Sequence, residues 1–446
     1  MVQQLAETLP AGLTVTDART RARQAVVDTL TAMIAGAGTT EAQLVRAAVG
    51  RGDTGAQAVV VGTDQRRSAP GAALCNGTAA HALEIDDFGG CGHSGAVVLP
   101  AVLALSEVVR PSGTEFLDAV IAGYEAAGRA TALLGGYRAQ TDRGWHVTGT
   151  CGAFGAAAAA ARLLGLNVGE SAHALAIAGS CTGGVWAFLS DGAMTKRLHA
   201  GRAAQIGVES ALLAAEGFTG PAEIFEASFG GLADCMAGGT LDETALRPET
   251  QPAILSAGFK RHAACRGVHW AIDTTLALMR EEHLAGDDVA AVRVECPPHA
   301  LRMFGSYQVA TAISAQLSLP FAVSAALRYG DRVNDAYRGA AWQDDAVRRH
   351  LDKVVLSPAH ECGPQVRIRT VAGRDLVRGV PPTHDDCTGV LDEACLASKV
   401  DEWVSPVLGP DRAAHLLATC LGLDESPSVD ALLDVATIDE RTSTDA

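Results

Sequence analysis

Apolar residues recur three and four positions apart through most of this chain. Residues 22–34, 71–85, 97–109, 116–134, 152–164 and 201–215 each show that spacing, which predicts helix after helix. Glycine and proline punctuate between them, as at Gly165, Gly217 and Pro221. The pattern changes near residue 265. Residues 289–296, VAAVRVEC, alternate apolar and polar positions like a strand, and so do 365–370, QVRIRT. Ala372, Gly373 and Arg374 read as a turn, and 375–380, DLVRGV, complete a hairpin. Helical segments at 319–329 and 344–355 lie between these strands, and helix returns at 391–404 and 411–421. The expected architecture is mainly α: a large all-helical domain at 1–264, an inserted smaller α/β domain at 265–390, and a return to the helical domain at 391–446. The last dozen residues are acidic and Ser/Thr-rich, which predicts a frayed end. No internal repeat is visible.

Composition sharpens this picture. Apolar residues make up 48% of the 446 positions, aromatics only 4%, and there are 48 glycines. Small side chains let helices approach closely. The net charge of −16 repels nucleic acid and anionic membranes, so neither is an expected partner. An anionic substrate needs a local basic pocket against that field. The 11 cysteines are scattered and none forms a C-x-x-C pair, which argues against thiolate zinc and iron–sulfur sites and for a reducing, cytoplasmic setting. Residues 1–10 lack a basic region and an apolar core, so no secretory leader is expected. The most apolar stretch, 148–166, is built of alanine and glycine around Arg162, and reads as a buried helix rather than a membrane span.

Four stretches carry candidate chemistry. In HALEIDDFGGCGHSGAVVLP, from 81 to 100, a helix ends in Glu84, Asp86 and Asp87, and a glycine-rich loop leads to His93. Acids and a histidine around flexible glycines can converge into an acid/base site, though a capped helix end with solvated acids fits too. In GWHVTGTCGAFG, from 144 to 155, His146 precedes a helix of small residues. The free N–H groups of such a helix start suit a carboxylate. A histidine packed beside Trp145 is the plainer reading. MTKRLHAGRAA, from 194 to 204, concentrates Lys196, Arg197, His199 and Arg202, as a carboxylate binder would or as a solvated basic helix end would. FKRHAACRGVHWAID, from 259 to 273, crowds Lys260, Arg261, His262, Arg266 and His269 around Cys265. A thiol among cations can act as acid, base or nucleophile, and an inert buried thiol is as ordinary. No phosphate loop, dinucleotide fingerprint or G-x-S-x-G elbow is present.

Taken in order, these four stretches resemble the MmgE/PrpD superfamily, which includes 2-methylcitrate dehydratase, cis-aconitate decarboxylase and iminodisuccinate epimerase. SLPFAVSAALRYG and the hairpin QVRIRTVAGRDLVRGV fit as well, so the resemblance runs over nearly the whole chain. It implies an all-helical domain with an inserted α/β lid, a site between them, a homodimer, and no metal or other cofactor. The family's functional histidines match His93 and His146, and its lysines match Lys196 and Lys260. Three positions depart from the family pattern. Glu84 stands for the first aspartate of the usual D-F-D-D stretch, Phe88 for the threonine after it, and Cys265 for the histidine that cis-aconitate decarboxylases carry five residues after the later lysine. The loop to His93 is also one residue short. Phe88 cannot hydrogen-bond a substrate, so the departures point to altered discrimination. The resulting expectation is a metal-independent lyase that abstracts a proton alpha to a carboxylate of a small polycarboxylate. A dehydratase like 2-methylcitrate dehydratase comes first. A decarboxylase, an epimerase of an imino- or amino-dicarboxylate, or a pathway enzyme with a changed substrate are the alternatives. His93, His146, Cys265, Glu84 and Asp87 are the expected catalytic groups. Lys196, Arg197, Lys260 and Phe88 are the expected substrate contacts.

Overall fold

Helix ends in this protein are set by local capping chemistry. Ser68 caps Ala69–Ala80 by accepting from the Gly71 N–H, and Pro70 occupies its first turn. Ser112 with Glu115 and Asn167 with Glu170 form capping boxes that start Gly113–Leu133 and Val168–Cys181. The computed structural model describes residues 1–9, 16–247, 251–359, 363–380 and 393–438. The expected frayed tail and the 390/391 boundary fall largely outside these residues, as do Cys362 and Cys387.

The described chain divides into two compact units. The first takes Met1–Ala187, Thr195–Phe259 and the C-terminal helices, and it is helical apart from a short hairpin. That hairpin pairs β1 (Ala58–Val59) with β2 (Arg66–Arg67). Helices Gly95–Val109, Gly113–Leu133 and Gly152–Leu163 form much of its core, with Phe116, Tyr124 and Phe154 buried among alanines. Among the described residues no helix is long and apolar enough to cross a membrane.

The second unit comprises Phe188–Met194 and, among the described residues, the chain from Lys260 to residue 380. It holds β3 (Val289–Cys296), β4 (Val354–Pro358), β5 (Gln365–Thr370) and β6 (Asp375–Gly379) in the order β4-β3-β5-β6. β3 runs parallel to β4 and antiparallel to β5, and β5 with β6 forms the expected hairpin. Helices Arg266–Glu281 and Leu319–Tyr329 belong to the same unit. The mainly α expectation therefore holds, with one mixed unit.

Three expected elements differ. The helix expected over 71–85 stops at Ala80, with His81 as its cap. The helix expected from 201 starts at Thr195, so Lys196 and Arg197 sit in its first turn. The helix expected over 344–355 ends at Leu351, and Val354–Pro358 is a strand. Its apolar residues pair in parallel with β3, which lies some sixty positions earlier.

Candidate active site

Two glycines bring the site's first halves together. Helix Ala69–Ala80 crosses helix Thr195–Ala215 where Gly77 meets Gly201. A Cβ at Gly201 would lie 2.3 Å from the Leu74 carbonyl oxygen, and one at Gly77 would lie 2.8 Å from the Gly201 Cα. Only bare backbones pass that closely. The crossing sets the end of one helix, His81, beside the start of the other, Lys196 and Arg197.

The segment after His81 then turns sharply. Glu84 has φ +57°, in the left-handed region that side chains rarely adopt. Its carboxylate faces both cations. Oε1 accepts from Lys196 Nζ and, at 2.5 Å, from Arg197 Nη1. All three side chains are fully buried. Buried charges of this kind persist only when paired, so Glu84 is what allows Lys196 and Arg197 to be inside.

His81 links this cluster to the next. Its Nε2 lies 3.1 Å from Lys196 Nζ and its Nδ1 lies 2.8 Å from Asp86 Oδ2. An ammonium only donates and a carboxylate only accepts, so His81 carries its hydrogen on Nδ1. Burial, then the Lys196 charge, pushes the His81 imidazolium well below its ordinary range, and the ring is neutral.

His93 is held by the same acid. Its Nδ1 stands 2.9 Å from the Asp87 carbonyl oxygen and 3.0 Å from Asp86 Oδ2. Both neighbours are acceptors, so Nδ1 bears the hydrogen and Nε2 carries the lone pair of a base. Asp87 itself faces the other way. Its Oδ1 accepts from the Gly95 N–H at the start of helix Gly95–Val109, and its Oδ2 accepts from the Tyr124 hydroxyl at 2.7 Å. Burial, then the Asp28 charge, raises the Asp87 carboxyl to about 7. Asp87 thus anchors the loop, and Asp86 is the acid that meets the histidines.

His146 forms a second pair. It is fully buried at the start of the turn Val147–Thr150, and its backbone N–H donates to Gly184. Its Nδ1 lies 3.0 Å from Nδ1 of His199, so one ring donates its Nδ1–H to the other, and the accepting ring carries its hydrogen on Nε2. Burial first, and then neighbouring His81, pushes the His146 imidazolium well below its ordinary range. Burial and Lys196 take His199 down to about 4. The ring beside His146 is Trp186, edge-on at 5.1 Å, where sequence had suggested Trp145.

The first unit therefore gathers Glu84, Asp86, Asp87, His93, His146, Lys196 and Arg197, and adds His81 and His199. Phe88 packs differently from an expected substrate contact. Its backbone exchanges two hydrogen bonds with Gly258, at 2.8 and 2.9 Å, and its ring covers that glycine. Lys260 and Cys265 belong to the second unit. There Lys260 is buried, and Cys265 caps helix Arg266–Glu281 with its N–H donating to Gln316. Asn334 pins this loop through Ala263 and Arg261. His262 meets Asp273 at 2.7 Å. His81, Asp86 and His93 also present metal-type donor atoms within 4.8 Å of one another. The two Nδ1 hydrogens point to that carboxylate already, so a metal would have to displace them.

The chain is similar to known proteins along most of its length. The MmgE/PrpD N-terminal domain profile matches residues 4–244 and the C-terminal domain profile matches 262–422. A cis-aconitate decarboxylase-like protein of Aspergillus oryzae is 28% identical over 84% of this chain and 83% of its own length. Cis-aconitate decarboxylase of Homo sapiens is 32% identical over 48% of the chain and 45% of its own length, and that of Aspergillus terreus is 31% identical over 50% and 48%. Both halves of one family's architecture thus follow each other along a single chain, and the protein belongs to the MmgE/PrpD family.

Proposed function

We propose that this protein is a lyase that removes a proton alpha to a carboxylate of a small organic acid, with His93 as the base. One observation carries the reading: two acceptors on Nδ1, the Asp87 carbonyl at 2.9 Å and the Asp86 carboxylate at 3.0 Å, hold His93 in the tautomer whose Nε2 is basic. That carboxylate stabilises the imidazolium formed when His93 takes the proton, a role general to oriented histidine bases. Lys196 and Arg197 supply positive charge for the enolate-like intermediate. The His146–His199 pair stays neutral and offers an Nε2–H as a hydrogen-bond donor to the leaving group. Loss of a hydroxyl makes the enzyme a dehydratase. In the second reading, which the names of the relatives favour, the enzyme is a decarboxylase: a carboxylate leaves as CO₂ and the carbanion left behind takes up a proton from protonated His93. Lys260 and Cys265 are proposed as further substrate-binding groups.

The test is proton NMR in D₂O with 2-methylcitrate, citrate, cis-aconitate and iminodisuccinate. Release of water or CO₂ from one of them is expected, with His93→Gln slowing it by about 100-fold or more. Near-normal turnover by that variant would remove His93 from the role. Deuterium entry without net conversion would instead support an epimerase.

A further inference from the structure

The least expected member of the cluster is His81. It lies at the end of an apolar helix and is fully buried, and both of its ring nitrogens are engaged. Its Nδ1–H holds the same Asp86 oxygen that faces His93, and the two imidazoles lie 4.3 Å apart, centroid to centroid. Its Nε2 accepts from Lys196, the cation that Glu84 also holds. Lys196, His81, Asp86 and His93 thus form one chain of contacts from the expected carboxylate anchor to the expected base. A histidine that only filled space would not need a defined tautomer at both ends.

We propose that His81 is a positioning residue: it fixes the Asp86 carboxylate against His93 Nδ1 as the second acceptor beside the Asp87 carbonyl, and so helps keep the base in its reactive tautomer. The proposal rests on the reading of His93 as the base. His81 acts through Asp86 and forms no bond to the substrate. Its contact with Lys196 serves to lock the donor end of the ring toward Asp86.

Three substitutions separate the contacts. His81→Asn keeps an N–H near the Nδ1 position and loses the Lys196 contact. His81→Gln places its amide near the Nε2 position, keeping the Lys196 contact and losing Asp86. His81→Phe keeps the ring volume and loses both. Histidine-selective ¹⁵N labelling reports the His93 tautomer without any substrate, the signal being assigned by its loss in His93→Gln. The Nδ1–H form should dominate in the wild type and in His81→Asn, and should give way to a mixture in His81→Gln and His81→Phe. On whichever substrate turns over, kcat should fall about 10-fold or more in the last two, with KM moving less than about threefold, and His81→Asn should recover most of that loss. An unchanged His93 tautomer in folded His81→Phe would overturn the proposal, as would equal kcat losses in all three variants. If no substrate turns over but the tautomer shifts as described, the positioning role stands and the lyase reading is what fails.

Discussion

At the scale of single residues, buried ionisable groups decide how the protein responds to pH. The folded value of Asp87, about 7, lies above the ordinary carboxylate value. The folded state therefore binds a proton that the unfolded chain has released, and this stabilisation fades as pH rises from about 4 to 7. Asp87→Asn keeps the shape and removes that dependence. Its Tm relative to the wild type should become more favourable by roughly 3 °C or more between pH 5 and pH 8. A pH-independent difference would show that Asp87 is ionised in the fold throughout. His81, His146 and His199 run the other way, since each is held neutral. Their stabilisation is present above about pH 6.5 and is lost as pH falls below it. Thermal melts of the wild type should therefore drop steeply on the acid side. His93, Glu84 and Lys196 were legible in the sequence because they stand in dense polar stretches. His81 was not singled out, because one histidine at the end of an alanine-rich helix reads as core. Its defining partner, Lys196, lies 115 positions away.

At the scale of elements, the glycine crossing ties packing to the site. Gly201→Ala would place a methyl against the Leu74 carbonyl, which is backbone and cannot swing aside. The helices must separate, at a cost of about 1–3 kcal/mol. Lys196 then moves away from His81 and Glu84, so denaturant midpoint and kcat should fall together. A destabilised variant with unchanged kcat would show that the crossing does not govern the site. A second clip lies on Gly113–Leu133. There Arg129 bonds Glu125 and the carbonyls of Ala245 and Arg247, while Glu125 accepts from the Ala253 N–H. Arg129→Met should cost about 3 kcal/mol, because it leaves a buried carboxylate without its cation. Helix existence was readable from the 3.6-residue period, yet both ends that matter here were misplaced. Alanine and glycine blur the contrast between faces, so periodicity says little about where such helices stop. The strand Val354–Pro358 was missed for a related reason. Its five residues carry no alternation, and its partner is not local.

At the scale of the whole molecule, a chain of net charge −16 buries the cations of its candidate site, Lys196 and Arg197. A dianionic substrate approaches through a repulsive field that salt screens. For such a substrate kcat/KM should rise about two- to threefold between 20 and 200 mM salt, with kcat unchanged. A fall with salt would mean that an exposed basic patch guides entry. The change of period near residue 265 falls close to Lys260, where the second unit takes up the chain. The grouping of Phe188–Met194 with the second unit was not visible in the sequence, since it depends on contacts far along the chain.

The seating of Phe88 on Gly258 has a consequence for how relatives diverge. Both hydrogen bonds at residue 88 come from its backbone, so the chain there is fixed whatever side chain it carries. The ring, in contrast, exists at the expense of position 258, where a Cβ would lie 2.2 Å from it. The two positions are therefore a matched pair, 170 residues apart in sequence. Chains with a small polar residue at the first are free to carry a side chain at the second, while a large ring at the first demands glycine. A change of size at residue 88 therefore has to be matched at residue 258, and no helix has to move for it.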